Sequence, residues 1–287
     1  MKRLLIIGCG DIGLRAAKLL RGRYRIYALV RDPAKAERLR ALGVVPLRGD
    51  LDQRASLGRL AGLAHDVLHF APPQNQGLRD LRTRHLLAAF CRAKILPQRL
   101  VYISTSGVYG HCHGDLVPET RSLNPTNARA QRRADAERQL REWGGRCGVA
   151  VSILRAPGIY AAGRLPLERI KAGTPALREE DDGYTNHIHA EDLARIAVAA
   201  LDRGRPERVY NVADDSHLKM ADYFDLVADT FGLPRPPRVS WSEAQSRIPE
   251  SLLSFMAESR RLVNARMKRE LGVRLAYPDV RAGMLKE

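Results

Sequence analysis

The chain has 287 residues, enough for one large α/β domain or for such a domain with a smaller lobe. Its formal charge of +16 attracts anions, but only eight of its 48 basic residues are lysines, and the arginines are spread along the whole chain. We therefore expect an anionic small-molecule partner and no specific nucleic-acid partner. The sequence has no apolar run of about 18 residues and no signal-peptide pattern, so we expect a cytoplasmic protein with no membrane partner.

The first half of the chain alternates short apolar runs with helical patterns, as βαβ units do. Strands are predicted at 3–8, 25–30, 44–50, 66–71, 99–105 and 149–156, and helices at about 11–21, from residue 33 onward, at 78–94 and at 127–143. A segment rich in glycine and proline follows, then a helix at 189–201 and a strand at 207–213. The remainder is predicted to be mostly helical.

These elements predict an α/β fold, with a doubly wound parallel sheet of the Rossmann kind and a smaller, mostly helical C-terminal lobe. We expect residues 1–155 plus 185–213 to form the sheet domain. Residues 156–184 plus 214–287 are expected to form the lobe, over the carboxyl edge of the sheet. Ligands of such sheets bind at that edge, so the lobe is predicted to bind the substrate.

The segment GCGDIG places Gly8, Gly10 and Gly13 in G-x-G-x-x-G spacing. It follows an apolar strand and opens a helix, which is the context that a dinucleotide-binding turn requires. The glycines permit a tight turn, the approach of a pyrophosphate and close packing of helix on strand. A plain strand–turn–helix is the alternative. We interpret the segment as part of an NAD(P) site, with Asp11 and Ile12 at the helix N-terminus also contacting the cofactor.

The end of the second predicted strand, LVRDP, bears on the choice between NADP and NAD. Arg31 can pair with a 2′-phosphate, whereas Asp32 has another role, as the cap of the helix that begins at Pro33. We therefore predict NADP rather than NAD. Asp50 and Leu51 are placed to meet the adenine, although Asp50 also suits a helix cap. The nicotinamide half is expected against the end of the fourth strand, at Phe70, Ala71 and Pro72.

Seven segments follow one another in the order and spacing of a known family: GCGDIG, RGDL, FAPP, YISTSGVYG, ILRAPGIY, NHIHAEDLA and VYNVAD. The chain resembles the extended short-chain dehydrogenase/reductase family, the NAD(P)-dependent epimerase/dehydratase group, which mostly acts on nucleotide sugars. The resemblance covers nearly the whole chain. It implies oxidoreduction or epimerisation of a nucleotide-sugar-like or other anionic small molecule. It also implies a possible homodimer through the helices at 78–94 and 127–143.

The resemblance also implies catalytic residues. Thr105 takes the place of the family's Ser/Thr, which bonds the substrate hydroxyl or carbonyl. Ser106 and Gly107 stand where sugar dehydratases have an acidic pair, which argues against dehydration. The family's Tyr-x-x-x-Lys falls on Arg129 and Arg133. Arg133 can still bond the nicotinamide ribose. A guanidinium does not titrate near neutral pH, so Arg129 cannot replace the tyrosine as proton donor.

The missing tyrosine leaves three alternatives open. In the first, the enzyme uses another acid/base, for which Tyr109, Tyr160, His111 and His113 are candidates on loops at the sheet edge. In the second, it transfers hydride or isomerises without a strong proton donor, and Arg129 clamps an anionic substrate. In the third, the protein binds NADP(H) without turnover and reports redox state to a partner.

Four residues are expected to contact the substrate: Ser106, Tyr109, Arg155 and Tyr160. For Arg155 the alternative is a buried ion pair, and for Tyr109 it is packing in the VYG turn. We predict no metal site, because adjacent residues such as those of HCH at 111–113 point their side chains apart.

Two further patterns have plain structural interpretations. His187 and His189 are predicted to be core histidines bonded to backbone. The late basic residues are predicted to form a solvated helix face, and the alternative is that they help hold a diphosphate: Arg260, Arg261, Arg266, Lys268 and Arg269.

Overall fold

The computed structural model describes residues 1–285 of the chain. In this part, seven parallel strands form one sheet in the order β7-β6-β5-β4-β1-β2-β3. The strands are β1 (Lys2–Ile7), β2 (Tyr24–Val30), β3 (Val45–Arg48), β4 (Asp66–His69), β5 (Arg99–Thr105), β6 (Ala150–Ala156) and β7 (Arg208–Asn211). The strand order reverses between β1 and β4, which confirms the predicted doubly wound sheet.

The described residues also form eleven α-helices. They are α1 (Asp11–Leu20), α2 (Pro33–Ala41), α3 (Leu81–Phe90), α4 (Ala128–Cys147), α5 (Leu167–Lys171), α6 (Ala190–Arg203), α7 (Met220–Thr230), α8 (Trp241–Arg247), α9 (Glu250–Met256), α10 (Ala265–Leu271) and α11 (Val280–Gly283). None of them, in residues 1–285, combines the length and apolar content that a bilayer crossing needs.

Side-chain alternation along β1 explains why helices cover both faces of the sheet. Leu4 and Ile6 pack with residues of α1, α6 and α10 on one face, and Leu5 and Ile7 pack with residues of α3 and α4 on the other. All four side chains are fully buried. Each contributes about 1.5–3 kcal/mol by leaving water. The first strand therefore lies at the centre of both halves of the core and holds the glycine turn that follows it.

The start of α3 and the end of α4 differ from the predicted residues because capping interactions set these helix ends. The Asp80 side chain accepts a hydrogen bond from the Thr83 backbone N–H at 3.1 Å, so α3 begins at 81 rather than 78. Helix α4 continues past the predicted residue 143 to 147, where Gly148 adopts the left-handed conformation, with φ of +67°. That conformation ends helices readily only when the residue is glycine.

Residues 156–184 and 214–285 form small elements. Three parallel strand pairs join Gly158–Tyr160 to His187–His189, Ala176–Leu177 to Arg238–Val239 and Leu116–Val117 to Arg261–Leu262. Helices α5 and α7 share an apolar cluster of their own, whereas α10 packs back on α6 of the sheet domain. The predicted division into a sheet domain and a lobe stays a prediction.

Candidate functional site

The first cavity lies at the carboxyl ends of β1 to β4 and measures about 600 Å³. Every residue predicted to bind the cofactor lines it: Gly8, Gly10, Asp11, Ile12, Gly13, Arg31, Asp50, Leu51, Phe70, Ala71, Pro72 and Arg133. These residues come from five separate stretches of the chain. They meet because parallel strands end at the same edge of the sheet.

The glycine turn between β1 and α1 has the shape that a diphosphate needs. Gly8 has φ of +88°, and a Cβ there would collide with the backbone nitrogen of Ala71. A Cβ on Gly13 would lie 3.1 Å from the Gly8 carbonyl oxygen. At Gly10 no atom lies within 4 Å of the Cβ position, and no side chain caps the N-terminus of α1. Backbone N–H groups are therefore left to bind an anion beside open space, as in dinucleotide sites.

The far end of the first cavity carries two cations. Within residues 1–285 no carboxylate lies closer to the Arg31 guanidinium than that of Asp50, at 3.9 Å, and 65% of the Arg31 side chain is exposed. Lys35 lines the same end. Asp32 accepts a hydrogen bond from the Ala34 backbone N–H at 2.9 Å and so caps α2, as predicted.

A second cavity, of about 580 Å³, adjoins the first. The two share the lining residues Pro72, Arg133, Ile159 and Arg164. Five residues with predicted catalytic or substrate roles lie in the second cavity: Thr105, Ser106, Arg129, Arg133 and Tyr160. Thr105 ends β5, and its side chain accepts a hydrogen bond from the Gly107 backbone N–H at 3.2 Å.

Helix α4 presents Arg133 and Arg129 to this junction. Arg133 donates through Nη1 to the Tyr102 hydroxyl at 2.9 Å and to the Ile103 carbonyl at 2.8 Å, both on β5. This anchoring fixes the guanidinium at the boundary of the two cavities. Arg129 stands one turn earlier, and its guanidinium lies 3.9 Å from the centre of the Phe255 ring in α9, a cation–π contact.

The second cavity is strongly basic. Six arginines line it, namely Arg129, Arg132, Arg133, Arg164, Arg169 and Arg260, against one carboxylate, that of Glu258. Glu258 is already paired with Arg260 at 2.7 Å. The predicted solvated helix face is therefore wrong for Arg260, which precedes α10 and also bonds the Gly110 carbonyl at 2.6 Å. The cavity has the charge to hold an anion.

Two predicted substrate residues lie outside both cavities. Arg155 is buried and paired with Glu137 at 2.7 Å, and it donates to the Tyr109 hydroxyl at 2.8 Å. That hydroxyl in turn donates to Asn211 at 2.8 Å. The expectation that Arg155 and Tyr109 touch a substrate is corrected. The alternative for Arg155, a buried ion pair, is the one observed, and it ties β6 to α4.

The candidates for a replacement acid are likewise engaged elsewhere. The Tyr160 hydroxyl donates to the Asp279 carbonyl at 2.9 Å, and burial raises its pKa. His111 and His113 bond each other at 3.1 Å and line a separate depression. Among residues 1–285 no cluster of three or more potential metal ligands occurs.

His187 is buried, as predicted for a core histidine, and it also lines the second cavity. It is 4% exposed, and its Nδ1 has no hydrogen-bond partner, so the predicted backbone bond is not seen at that atom. Its ring lies 4.1 Å from that of Tyr223. Burial lowers the pKa of His187 to about 3, so the imidazole is neutral. At His189 the prediction is confirmed, because Nδ1 accepts from the Glu191 backbone N–H at 3.2 Å.

Several lining residues were missed from the sequence: Lys35, Arg82, Arg164, Arg169, Tyr223 and Glu258. Arg164 and Arg169 stand in the Gly/Pro-rich stretch that leaves the carboxyl edge of the sheet. That position is a usable signal, since excursions from this edge surround the ligand. The others carry no local pattern that separates them from surface residues.

A model of the NAD dependent epimerase/dehydratase family matches residues 4–213 of the chain. GDP-6-deoxy-D-mannose reductase of Pseudomonas aeruginosa is 28% identical over 221 residues, which cover 66% of this chain and 71% of that protein. The chain matches only 26% and 24% of the length of two trifunctional UDP-glucose 4,6-dehydratase/epimerase/reductase proteins of Arabidopsis thaliana.

Two solved structures share the fold over almost the whole chain. A functionally unknown conserved protein from Silicibacter pomeroyi is 29% identical, with a TM-score of 0.79 over 99% of this chain and 97% of the other. DesIV of Streptomyces venezuelae, a dTDP-glucose 4,6-dehydratase solved with NAD bound, is 21% identical, with a TM-score of 0.78 over 98% and 94%. At that identity the second likeness concerns the fold alone.

The buried pair of Arg155 and Glu137 generates a prediction about stability. Arg155→Met leaves the Glu137 carboxylate buried without its partner, so we expect unfolding in urea to become easier by about 3–5 kcal/mol. The double variant with Glu137→Gln should recover part of that loss. Arg121→Ala breaks an exposed pair with Asp115 and should leave stability nearly unchanged. A decrease in the free energy of unfolding below about 1 kcal/mol in Arg155→Met would contradict the role proposed for this buried pair in stability.

His187 generates a prediction about pH. Its pKa is about 3 in the folded chain against 6.5 as the ordinary value, so below pH 6.5 the unfolded chain binds one more proton at this residue. Stability should therefore fall as pH drops from 6.5 toward 3. His187→Phe should make that slope shallower by about 1.4 kcal/mol per pH unit. Equal slopes in urea unfolding of the two proteins between these pH values would show that His187 titrates normally.

Proposed function

Since the chain belongs to the NAD-dependent epimerase/dehydratase family, we propose that it is an NADP(H)-dependent oxidoreductase or epimerase. Its substrate is a nucleotide-sugar-like or other anionic small molecule. The observation that carries this proposal is the junction of the two cavities at Arg133. One cavity has the glycine turn of a dinucleotide site, and the other is basic and opens onto the cofactor cavity.

The residues present fit the cofactor. The uncapped N-terminus of α1 suits the diphosphate, and Phe70 to Pro72 line the path toward the nicotinamide half. When bound, the cofactor supplies or accepts hydride at its nicotinamide ring. Arg133 sits at the boundary with donors left over beyond Nη1, so it can hold the ribose hydroxyls and thereby set the ring's position.

Two observations support NADP over NAD. Within residues 1–285 the Arg31 guanidinium has only a long ion pair, with Asp50 at 3.9 Å, and Lys35 lies at the same end of the first cavity. Asp32, the acid that could bind a ribose 2′-hydroxyl, is employed as the cap of α2. A 2′-phosphate would give both cations a partner.

The second cavity offers a substrate both positive charge and hydroxyl groups. The six arginines of the second cavity favour a phosphorylated or carboxylated molecule. The relative from Pseudomonas aeruginosa is named for a nucleotide sugar, which is such an anion. Thr105 and Ser106 at the end of β5 place two hydroxyls beside this charge, where they can bond a substrate hydroxyl or carbonyl.

Arg129 limits the kind of chemistry that this site can perform. It stands at the mouth of the second cavity as a permanent cation, so it can stabilise a developing oxyanion but cannot move a proton. The reaction proposed therefore depends on hydride transfer with electrostatic support, and any proton comes from another group or from water. A charged cavity beside the cofactor is better explained by turnover than by redox sensing alone. A homodimer through α3 and α4 stays a prediction.

Hydride transfer is tested directly with NADPH deuterated at C4 and a panel of UDP-, GDP- and dTDP-linked sugars and ketosugars. We expect loss of deuterium, measured by mass spectrometry, with at least one of them. Arg129→Ala should lower kcat/KM by about a hundredfold, as for loss of one oxyanion donor. Arg146→Ala removes an exposed arginine from the same helix and should have no effect. A wild-type protein that binds NADPH but exchanges no label with any of the panel would contradict the enzyme proposal.

Cofactor choice is tested by Arg31→Ala. The change should weaken NADPH by about tenfold or more and NADH much less, because only NADPH has the 2′-phosphate that the guanidinium would pair with. Calorimetric titration measures both affinities. Arg38→Ala on α2, outside both cavities, is the matched control. Equal weakening of NADPH and NADH would mean that Arg31 does not read the 2′ position.

A further inference from the structure

Arg169, on the short helix α5, is a cation without a counter-ion. No carboxylate within residues 1–285 pairs with it, although Glu168 pairs with Lys171 at 3.0 Å and Asp225 pairs with Arg238 at 2.7 Å close by in the lobe. Its hydrogen bonds run through Nη2 alone, to the Pro175 carbonyl and the Met256 sulfur, both at 3.4 Å. Its Nε is buried with no partner.

Partial burial of the Arg169 side chain makes this arrangement costly. The surroundings of Arg169 lower the pKa of its guanidinium by desolvation, and no opposing charge offsets that effect. The side chain nevertheless stays charged at neutral pH. Two weak contacts at 3.4 Å do not replace the water that a guanidinium loses on burial. A charge held in this way implies a partner that is not part of the chain.

The neighbours of Arg169 point to the same place. Its guanidinium lies 4.3 Å from the centre of the Phe224 ring, which fixes the plane of the fork. The Phe224 ring centre lies 5.7 Å from that of Tyr223, and the Tyr223 ring centre lies 4.1 Å from that of His187. All four residues line the second cavity. Tyr223 makes no hydrogen bond through its hydroxyl within the described residues, and His187 is 4% exposed with an unpartnered Nδ1.

We infer that Arg169 anchors an oxyanion of the substrate at the lobe end of the second cavity, with the neutral His187 and Tyr223 binding uncharged polar atoms beside it. The guanidinium fork matches phosphoryl and carboxylate oxygens alike and binds them bidentately. The oxyanion provides the negative charge that no carboxylate within residues 1–285 provides to Arg169. Arg169 is thus a specificity-determining residue, separate from Arg129 and Arg133 at the cofactor junction. This inference rests on the proposed function only in placing the substrate in this cavity.

The two sources of an oxyanion are separated by two probes, inorganic pyrophosphate and malonate, titrated by calorimetry at constant ionic strength. Each titration is made with NADPH present, which occupies the glycine turn. It is repeated in Gly10→Asp, which closes that turn to anions by placing a carboxylate there. Wild type should bind at least one probe. Arg169→Gln should weaken that binding by about tenfold or more, the loss expected for a charge-assisted bidentate pair.

Controls separate the anchor from general charge and from folding. Lys171→Gln removes one charge from the same helix, where Lys171 is exposed, and should change affinity less than about twofold. Arg169→Lys keeps the charge without the fork and should give an intermediate affinity, which keeps the test valid if Arg169→Gln is poorly folded. NADPH affinity should be the same in wild type, Arg169→Gln, Arg169→Lys and Lys171→Gln.

Each result decides the inference. Binding of pyrophosphate alone, malonate alone or both, with loss in Arg169→Gln, supports it and identifies the oxyanion. Wild type that binds neither probe, or Arg169→Gln that binds as wild type does, overturns it. Failure of NADPH to bind, with Arg169-dependent anion binding intact in the Gly10→Asp background, would count against the proposed function and not against the anchor.

Discussion

The close approach of the glycine turn to the end of β4 is the constraint on which the site depends. Gly8 meets the Ala71 backbone where a Cβ would collide, and β1 is buried on both faces. Because the turn cannot shift away from the sheet, the N-terminus of α1 is fixed with its N–H groups facing the open space at Gly10. A diphosphate placed there leaves the adenosine half to extend toward Arg31 and the nicotinamide half toward Arg133, along the strand ends.

Helix α4 is the second fixed element. Its buried Glu137 pairs with Arg155 of β6 and accepts from Ser104 of β5 at 2.6 Å, so the helix is tied to two strands at the level of the site. Arg133 and Arg129 project from this anchored helix to the junction and to the mouth of the second cavity. Arg155, which was predicted to contact the substrate, thus helps to position Arg129 and Arg133, which line the second cavity.

The sequence was sufficient for the sheet and for the cofactor side of the site, since these follow from local signals. The run RLVYIST predicted β5 with the bounds observed, and GCGDIG together with the strand ends located the residues of the first cavity. The substrate side could not be read in this way. Arg169 lies on a five-residue helix with no periodicity, and its aromatic neighbour Phe224 is distant in sequence. Tyr109 and Arg155 were misplaced because a strand end looks the same in sequence whether its side chain enters a cavity or a buried ion pair.

The most direct test of the account is calorimetric titration of NADPH into the folded chain and into Gly10→Asp. The account predicts one site per chain in the wild type and no binding in the variant. The variant should melt at the same temperature without cofactor, because no atom lies within 4 Å of the added Cβ. Absence of binding of both NADPH and NADH to the folded wild type, or equal affinity in the variant, would contradict the account.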